Sequence, residues 1–318
     1  MEGATVDTLR LDGPCKRGGG KRYRQVAQDD VARVRGSRLT NLRSDHGIGV
    51  GILAGVSTRE RAAAHTRTAL AAAHLLQGVA PATPSVLGIV RGVTDASRWG
   101  IAMEHVDGRI LGDVAVWSPS RACDLALAMA DGVEHLHRHG ATHLDLKPDN
   151  VILTPEGVCA LRGVRPLSAE HLAWIDLDSV VNRQGGDWGS SFGCQGTVSF
   201  IPRWRASWYA EGIHRGIEAG PHPLHEEKSM AAGLAFSAIS LCTGSAPAQG
   251  FVWADAHENR LRERIRVPTG EMVESWRAQG VPAGLADLGR AVDTPDPQSA
   301  PGLREVRLRL EALRDVLA

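Results

Sequence analysis

Ala141-Thr142-His143-Leu144-Asp145-Leu146-Lys147-Pro148-Asp149-Asn150-Val151-Ile152-Leu153, ATHLDLKPDNVIL, sets a His, an Asp, a Lys and an Asn at short fixed intervals and closes on an apolar run. Upstream, Leu125, Met129, Val133 and Leu136 recur at helical spacing and lead into it. Downstream, Val151-Ile152-Leu153 reads as a short buried strand. The stretch is therefore a loop between a helix and a strand. Phosphoryl transfer needs a carboxylate to accept a hydroxyl proton, a cation near the transferred group and a carbonyl-type oxygen for a metal. Asp145, Lys147 and Asn150 offer these in that order.

Working outward, the chain before this loop reads as strand and the chain after it as helix. Residues 23–56 read as short strands, such as Val31–Val34 and Val50–Val56, broken by Gly and Asp turns. Residues 57–76 are Ala-rich and helical in pattern, with Ser57 as N-cap and Glu60 completing a capping box. Val86–Val93 and Trp99–Val106 read as a hairpin. Beyond the loop, Met230–Cys242 reads as a buried helix ending at Gly244, and Leu303, Val306, Leu310, Leu313 and Leu317 form one stripe of a final amphipathic helix. Strands first and helices later predict an α+β, bilobal chain: a flexible segment over 1–25, a sheet-rich N-lobe over 26–106 and a helical C-lobe over 107–318.

The 318 residues suffice for such a two-lobed molecule, with 43% hydrophobic and 23% charged residues. Lys+Arg and Asp+Glu are both 36, so no global charge points to nucleic acid. The lysines are Lys16, Lys21, Lys147 and Lys228 alone. Cys15, Cys123, Cys159, Cys194 and Cys242 are scattered and form no CxxC pair, which argues against a disulfide framework or zinc site. With no apolar leader and no bilayer-length run, the expectation is a cytoplasmic protein without a membrane partner. Most of the 13 His residues are expected at the surface or in packing, and His143 is expected to be structural rather than catalytic.

HLDLKPDN resembles the H-R-D-L-K-P-x-N loop of the eukaryotic-type (Ser/Thr) protein kinase family, with Leu144 in place of Arg. AWIDLDSV is similar to the family's metal-binding D-F-G turn, with Asp176 as the metal Asp and Leu177-Asp178 for Phe-Gly. The gap from Asn150 to Asp176 is long for this hairpin, and residues 154–170 read as an insertion. AMEHVDGRIL resembles the hinge between the lobes, and GTVSFIP resembles the G-T-x-x-Y-x-A-P-E segment. The resemblance implies ATP and Mg2+ as cofactors. It further implies Asp145 as base, Lys147 on the γ-phosphate and Asn150 with Asp176 on the metal. Backbone groups of Glu104, His105 and Val106 would meet adenine, and Thr197 would help hold Asp145 and Lys147. The implied partner is a protein or peptide with a Ser or Thr hydroxyl.

The pattern also fails in places. The family's segment Glu and its partner Arg fall on Trp204 and Ala300. Its helix Asp that braces the catalytic loop falls on Lys228, beside Glu226 and Glu227. The phosphate-holding Lys falls within Val50–Leu53, where there is none, and its partner Glu is missing as well. Lys21 or an Arg such as Arg43 could substitute, and Gly47–Gly51 is a candidate phosphate loop. Without an Arg at 144, phosphorylation at Ser190, Ser191 or Thr197 is not expected to be the main switch, leaving a constitutively formed or partner-regulated segment. Trp204, Trp208 and Tyr209 could bind a peptide or simply pack. Two alternatives stand beside the kinase reading. One is an inactive pseudokinase serving as a binding or scaffold module. The other is a small-molecule phosphotransferase.

Overall fold

The computed structural model describes residues 9–12, 22–25, 33–34, 37–44, 49–56, 59–91, 99–104, 106–113, 116–162, 166–182, 197–207, 226–248 and 269–318. It has a small antiparallel sheet region followed by a larger helical region, an α+β arrangement.

Strands β1 (Leu9–Asp12), β2 (Arg22–Gln25), β3 (Arg33–Val34), β4 (Ser37–Ser44), β5 (Gly49–Val56), β6 (Val86–Arg91) and β7 (Trp99–Glu104) form one sheet in the order β2-β1-β6-β7-β5-β4-β3. Because β2 also pairs with β4, the pairings run in a closed circuit with β3 attached to β4. Closure leaves fewer exposed edges. β1 and β2 fall inside the 1–25 stretch that its Gly-rich composition reads as flexible. At those two strands Leu9 pairs with Tyr23 and Leu11 with Val90. The expected hairpin is β6–β7, with Arg91 opposite Trp99. Gly49, Val50 and Gly51 are strand residues between β4 and β7, so this part of the Gly cluster is ladder rather than phosphate loop.

Helix α1 (Arg59–Leu76) buries Thr68, Ala69, Ala72, Ala73 and Leu76 on one face and packs on β6, β7 and the turn Leu177–Ser179. Its expected cap, Ser57, lies outside the described residues. After β8 (Arg109–Ile110) comes α2 (Pro119–Arg138), started by a Ser118 side chain that accepts from Arg121 N, and by Pro119 in the first turn. Leu125, Met129, Val133 and Leu136 are fully buried in it, as their spacing requires. Gly140, at φ 74, turns the chain into β9 (Ala141–His143).

The remaining elements are β10 (Val151–Leu153), α3 (Pro155–Arg162), β11 (Leu172–Trp174), β12 (Val180–Asn182), α4 (Glu226–Thr243), α5 (Thr269–Ala278), α6 (Ala283–Val292) and α7 (Leu303–Leu317). α3 fills the expected insertion, capped by the Thr154 hydroxyl, which accepts from Gly157 N at 3.1 Å. α4 is buried on nearly every side and packs on α2, α6 and α7. It forms the floor of the helical region. β9 pairs with β12, and β10 pairs with both β8 and β11. The loop 144–150 is thus held by a short ladder at each end.

Candidate active site

Local forces shape loop 144–150 before any ligand is considered. Leu144 and Leu146 are buried, and Leu146 rests on Gly233 of α4, where a Cβ would stand 2.9 Å from Leu146 Cβ. Asn150 Nδ2 donates to the Asp145 carbonyl at 2.8 Å and so closes the loop on itself. His143 Nδ1 accepts from Asp145 N at 3.2 Å, which puts the imidazole proton on Nε2. The ring is buried with its centroid 5.8 Å from that of Trp174, so His143 is a packing and bracing residue.

Within this frame the polar groups converge. Lys147 Nζ donates to Asp145 Oδ2 at 2.7 Å and to Thr197 Oγ1. Thr197 N donates to Asp145 Oδ1 at 2.6 Å, and Asn150 Nδ2 reaches Asp145 Oδ2 at 3.2 Å. Burial alone pushes the Asp145 carboxyl up. The Lys147 charge, with hydrogen bonds from Lys147 and Thr197, overrules burial and holds it below the ordinary carboxylate range.

Asp176 comes to the same place by strand register. Val151 pairs with Trp174, and Ile175 N donates to the Asn150 carbonyl at 3.0 Å. Asp176 therefore follows the residue bonded to Asn150. Its φ of 60° makes it the non-glycine residue with left-handed backbone among the described residues. Asn150 Oδ1 is buried and has no hydrogen-bond partner. An orphaned buried carbonyl oxygen, on a side chain already bonded to the Asp145 carboxylate, fits a hard divalent cation. Among the described residues no three His, Cys, Asp or Glu side chains gather as an all-protein cage. Mg2+ needs none, because it takes one or two protein oxygens and completes its shell with water and phosphate.

The hinge residues are less convergent. Glu104 N donates to Ser85 O at 3.0 Å, and the Glu104 carboxylate accepts from Ser85 N at 3.1 Å. The Glu104 N–H is thus used within the sheet region. Val106 packs with Ala82 and Ile110 on Ile152, Ala173 and Ile175. Gly108, at φ 148, lets the chain turn where a Cβ would stand 2.5 Å from Leu153 O. His105, Lys21 and the side chains of Asp178 and Arg43 lie outside the described residues, as do Ser190, Ser191, Trp208 and Tyr209. Trp204 is buried, which favours packing for that member of the aromatic group.

Four ties were not legible in the sequence. Thr142 Oγ1 donates to the buried Glu226 carboxylate at 2.9 Å. Arg205 Nη1 donates to Leu144 O at 2.9 Å and to Ser229 Oγ at 2.6 Å. Lys228, at the family's bracing position, donates instead to the carbonyls of Pro297 and Gln298 at 2.8 and 2.7 Å. Trp204 and Ala300 stand where the resembled family has an ion pair, and Arg203 of the same segment makes another, with Asp293. Arg203 N donates to the fully buried Asp293 at 3.0 Å, and Arg203 Nε lies 3.6 Å from its other oxygen. Only the order of residue types could have hinted at these, because each joins residues remote in sequence.

No protein-family model matches the chain. Short stretches do match curated proteins. The serine/threonine-protein kinase PTK1/STK1 of Saccharomyces cerevisiae is 42% identical over 62 residues, 20% of this chain and 9% of that protein. A probable serine/threonine-protein kinase of Dictyostelium discoideum is 36% identical over 76 residues, 22% of this chain and 5% of its own. Serine/threonine-protein kinase SMU1 of Mycosarcoma maydis is 33% identical over 60 residues, 18% of this chain and 8% of its own. The chain thus spans less than a tenth of these relatives. No helix among the described residues is long and apolar enough to cross a membrane. Over these stretches the chain has weak, partial homology to serine/threonine kinases, and its helix-rich α+β fold is consistent with the kinase superfamily in general.

Proposed function

We propose that the chain is a protein-kinase-like phosphotransferase that moves the γ-phosphate of ATP to a Ser or Thr hydroxyl of a protein or peptide. In this reading residues 26–106 form the N-lobe and 107–318 the C-lobe of a bilobal kinase fold, working without nucleic acid or membrane and in the cytoplasm. One observation carries it: Asp145, Lys147, Asn150 and Thr197 converge in one hydrogen-bonded cluster that leaves the buried Asn150 Oδ1 orphaned, and Asp176 follows the residue whose N–H bonds the Asn150 carbonyl. The partial kinase homology supports the same class.

The roles follow from the bonds. Asp145 Oδ2 accepts from Lys147 and Asn150, whereas among the described residues Oδ1 accepts from Thr197 N alone. Oδ1 keeps spare acceptor capacity and is the atom to receive the acceptor hydroxyl's hydrogen bond and, later, its proton. A carboxylate held below its ordinary pKa is a weak base. That suits a loose transition state, in which orientation of the hydroxyl matters more than early deprotonation. Lys147 neutralises Asp145 and stands ready to share its charge with the transferred group. Asn150 and Asp176 would hold Mg2+, which supplies charge neutralisation on phosphate oxygens when bound. Glu104, through its carbonyl, with His105 and Val106 would meet adenine, and Lys21 would stand in for the missing N-lobe lysine.

The test is phosphoryl transfer from labelled Mg-ATP, read by intact mass and ATP consumption, beside Asp145→Asn. Turnover falling at least about a hundredfold in the variant supports the assignment. Equal turnover in both proteins refutes it. Lys21→Ala then tests the displaced lysine. One observation favours a second reading. β5 carries Val50-Gly51-Ile52-Leu53 where a phosphate-holding lysine would stand, as a pseudokinase would. Nucleotide binding without turnover would make the chain a pseudokinase or an enzyme awaiting its partner. The small-molecule alternative draws on the ion pair lost at Trp204 and Ala300, whereas Lys147-Pro148 and Gly196-Thr197 speak against it, and a substrate panel separates the two.

A further inference from the structure

Arg205 is 3% exposed and takes no part in the chemistry outlined above. The two hydrogens of its Nη1 go to Leu144 O at 2.9 Å and Ser229 Oγ at 2.6 Å. Leu144 immediately precedes Asp145, and its N–H donates to Ser179 O at 3.0 Å, in the turn after Asp176. The backbone of Leu144 is therefore gripped at both its N–H and its C=O. Arg205 follows Thr197 in one segment, 197–207, and Thr197 holds the Asp145 carboxylate from the other side. The segment thus touches the loop at two points, one at the carboxylate and one just before it.

Two substitutions make this grip consequential. Leu144 occupies the place where the resembled family has an Arg that reads a phosphate. Lys228 occupies the place of the bracing Asp, and its ammonium is spent on the carbonyls of Pro297 and Gln298. We propose that Arg205 is a positioning residue, a built-in tether that holds segment 197–207 on the loop and keeps Asp145 aimed without phosphorylation. This rests on reading the site as a phosphotransfer centre. A planar guanidinium fixes the angle between its two acceptors, which an ammonium does not.

The experiment compares wild type with Arg205→Ala, Arg205→Lys and Ser229→Ala in the full chain, verified as unphosphorylated by intact mass. The tether predicts a kcat loss of about tenfold to a hundredfold in Arg205→Ala, with KM for Mg-ATP changed less than about threefold. Added guanidinium ion should restore part of the rate, and Arg205→Lys and Ser229→Ala should fall between wild type and Arg205→Ala. Amide hydrogen exchange should quicken in 143–150 and 197–205 and stay unchanged in α2 and α4. If Arg205→Ala does not fold, Ser229→Ala and Arg205→Lys are judged by the same criteria. A kcat within about twofold of wild type with unchanged exchange overturns the proposal. So does a general loss of exchange protection that guanidinium cannot repair, or a steep gain of activity in Ser190→Glu or Ser191→Glu. Should wild type show no turnover, the phosphotransferase reading falls by itself. Exchange then decides the tether: local loosening supports it, and none refutes it.

Discussion

Replacing Lys147 by Met tests how the buried carboxylate at the heart of the site is stabilised. Asp145 is 7% exposed and Lys147 6%, with 2.7 Å between Nζ and Oδ2. Met keeps the stem's length and apolar packing and removes only the ammonium. The carboxylate then stays buried with two donors, Thr197 N at 2.6 Å and Asn150 Nδ2 at 3.2 Å. Losing one partner of a buried pair costs about 3–5 kcal/mol, and the remaining donors put this case near the lower end, about 3 kcal/mol. Asp145→Asn removes the anion instead, and the double variant leaves two neutral groups. Its loss should fall short of the sum of the single losses by about 2 kcal/mol. Urea unfolding by linear extrapolation measures all four proteins, with equal m-values as the check that one transition is compared. The pH dependence has a definite sign. The folded pKa of Asp145 lies below its unfolded value, so its contribution is complete above about pH 4 and is lost as pH falls through the folded value. The gap between wild type and Lys147→Met should narrow over that fall. A loss below about 1 kcal/mol, or a coupling below about 0.5, would refute the reasoning and mean that the carboxylate is served by solvent.

Further outcomes follow from other contacts. Gly233→Ala drives a Cβ to 2.9 Å from Leu146 Cβ and 3.1 Å from Leu146 O, so about 1–3 kcal/mol of stability should be lost together with turnover; urea midpoints and kcat check this. Asp293→Asn removes the buried charge that accepts from Arg203 N and Thr269 Oγ1 and should cost about 2 kcal/mol, measured by urea unfolding. Burial first of all pushes the Cys123 and Cys242 thiols up to about 11 and 12, while Cys159 is exposed. Iodoacetamide at neutral pH should therefore label Cys159 in the native protein and reach Cys123 and Cys242 only after unfolding, as peptide mass mapping would show.

Some of this protein was legible from local pattern. The helical spacing of Leu125, Met129, Val133 and Leu136 marked α2, the mostly apolar run from Met230 marked α4, and the stripe beginning at Leu303 marked α7. Each is dictated by which side chains must leave water, a property of the chain read a few residues at a time. Within the strand-like stretch 23–56 the bounds of β2 and β4 were not legible, and β1 was not marked at all, because these strands are short or rich in polar residues.

The residue types of the site are likewise set by local order: Asp145, Lys147 and Asn150 stand within one loop, and a side chain of that loop closes it. Only the tertiary structure decided what surrounds them. Strand register set Asp176 next to Asn150 through Ile175. Packing of segment 197–207 on α4 brought Arg205 to Leu144 and left Lys228 facing the other way. Arg203 found Asp293 in the same manner. The physical reason is common to all three. A hydrogen bond or ion pair between remote residues depends on where the folded core places both ends, and no periodicity along the chain carries that information.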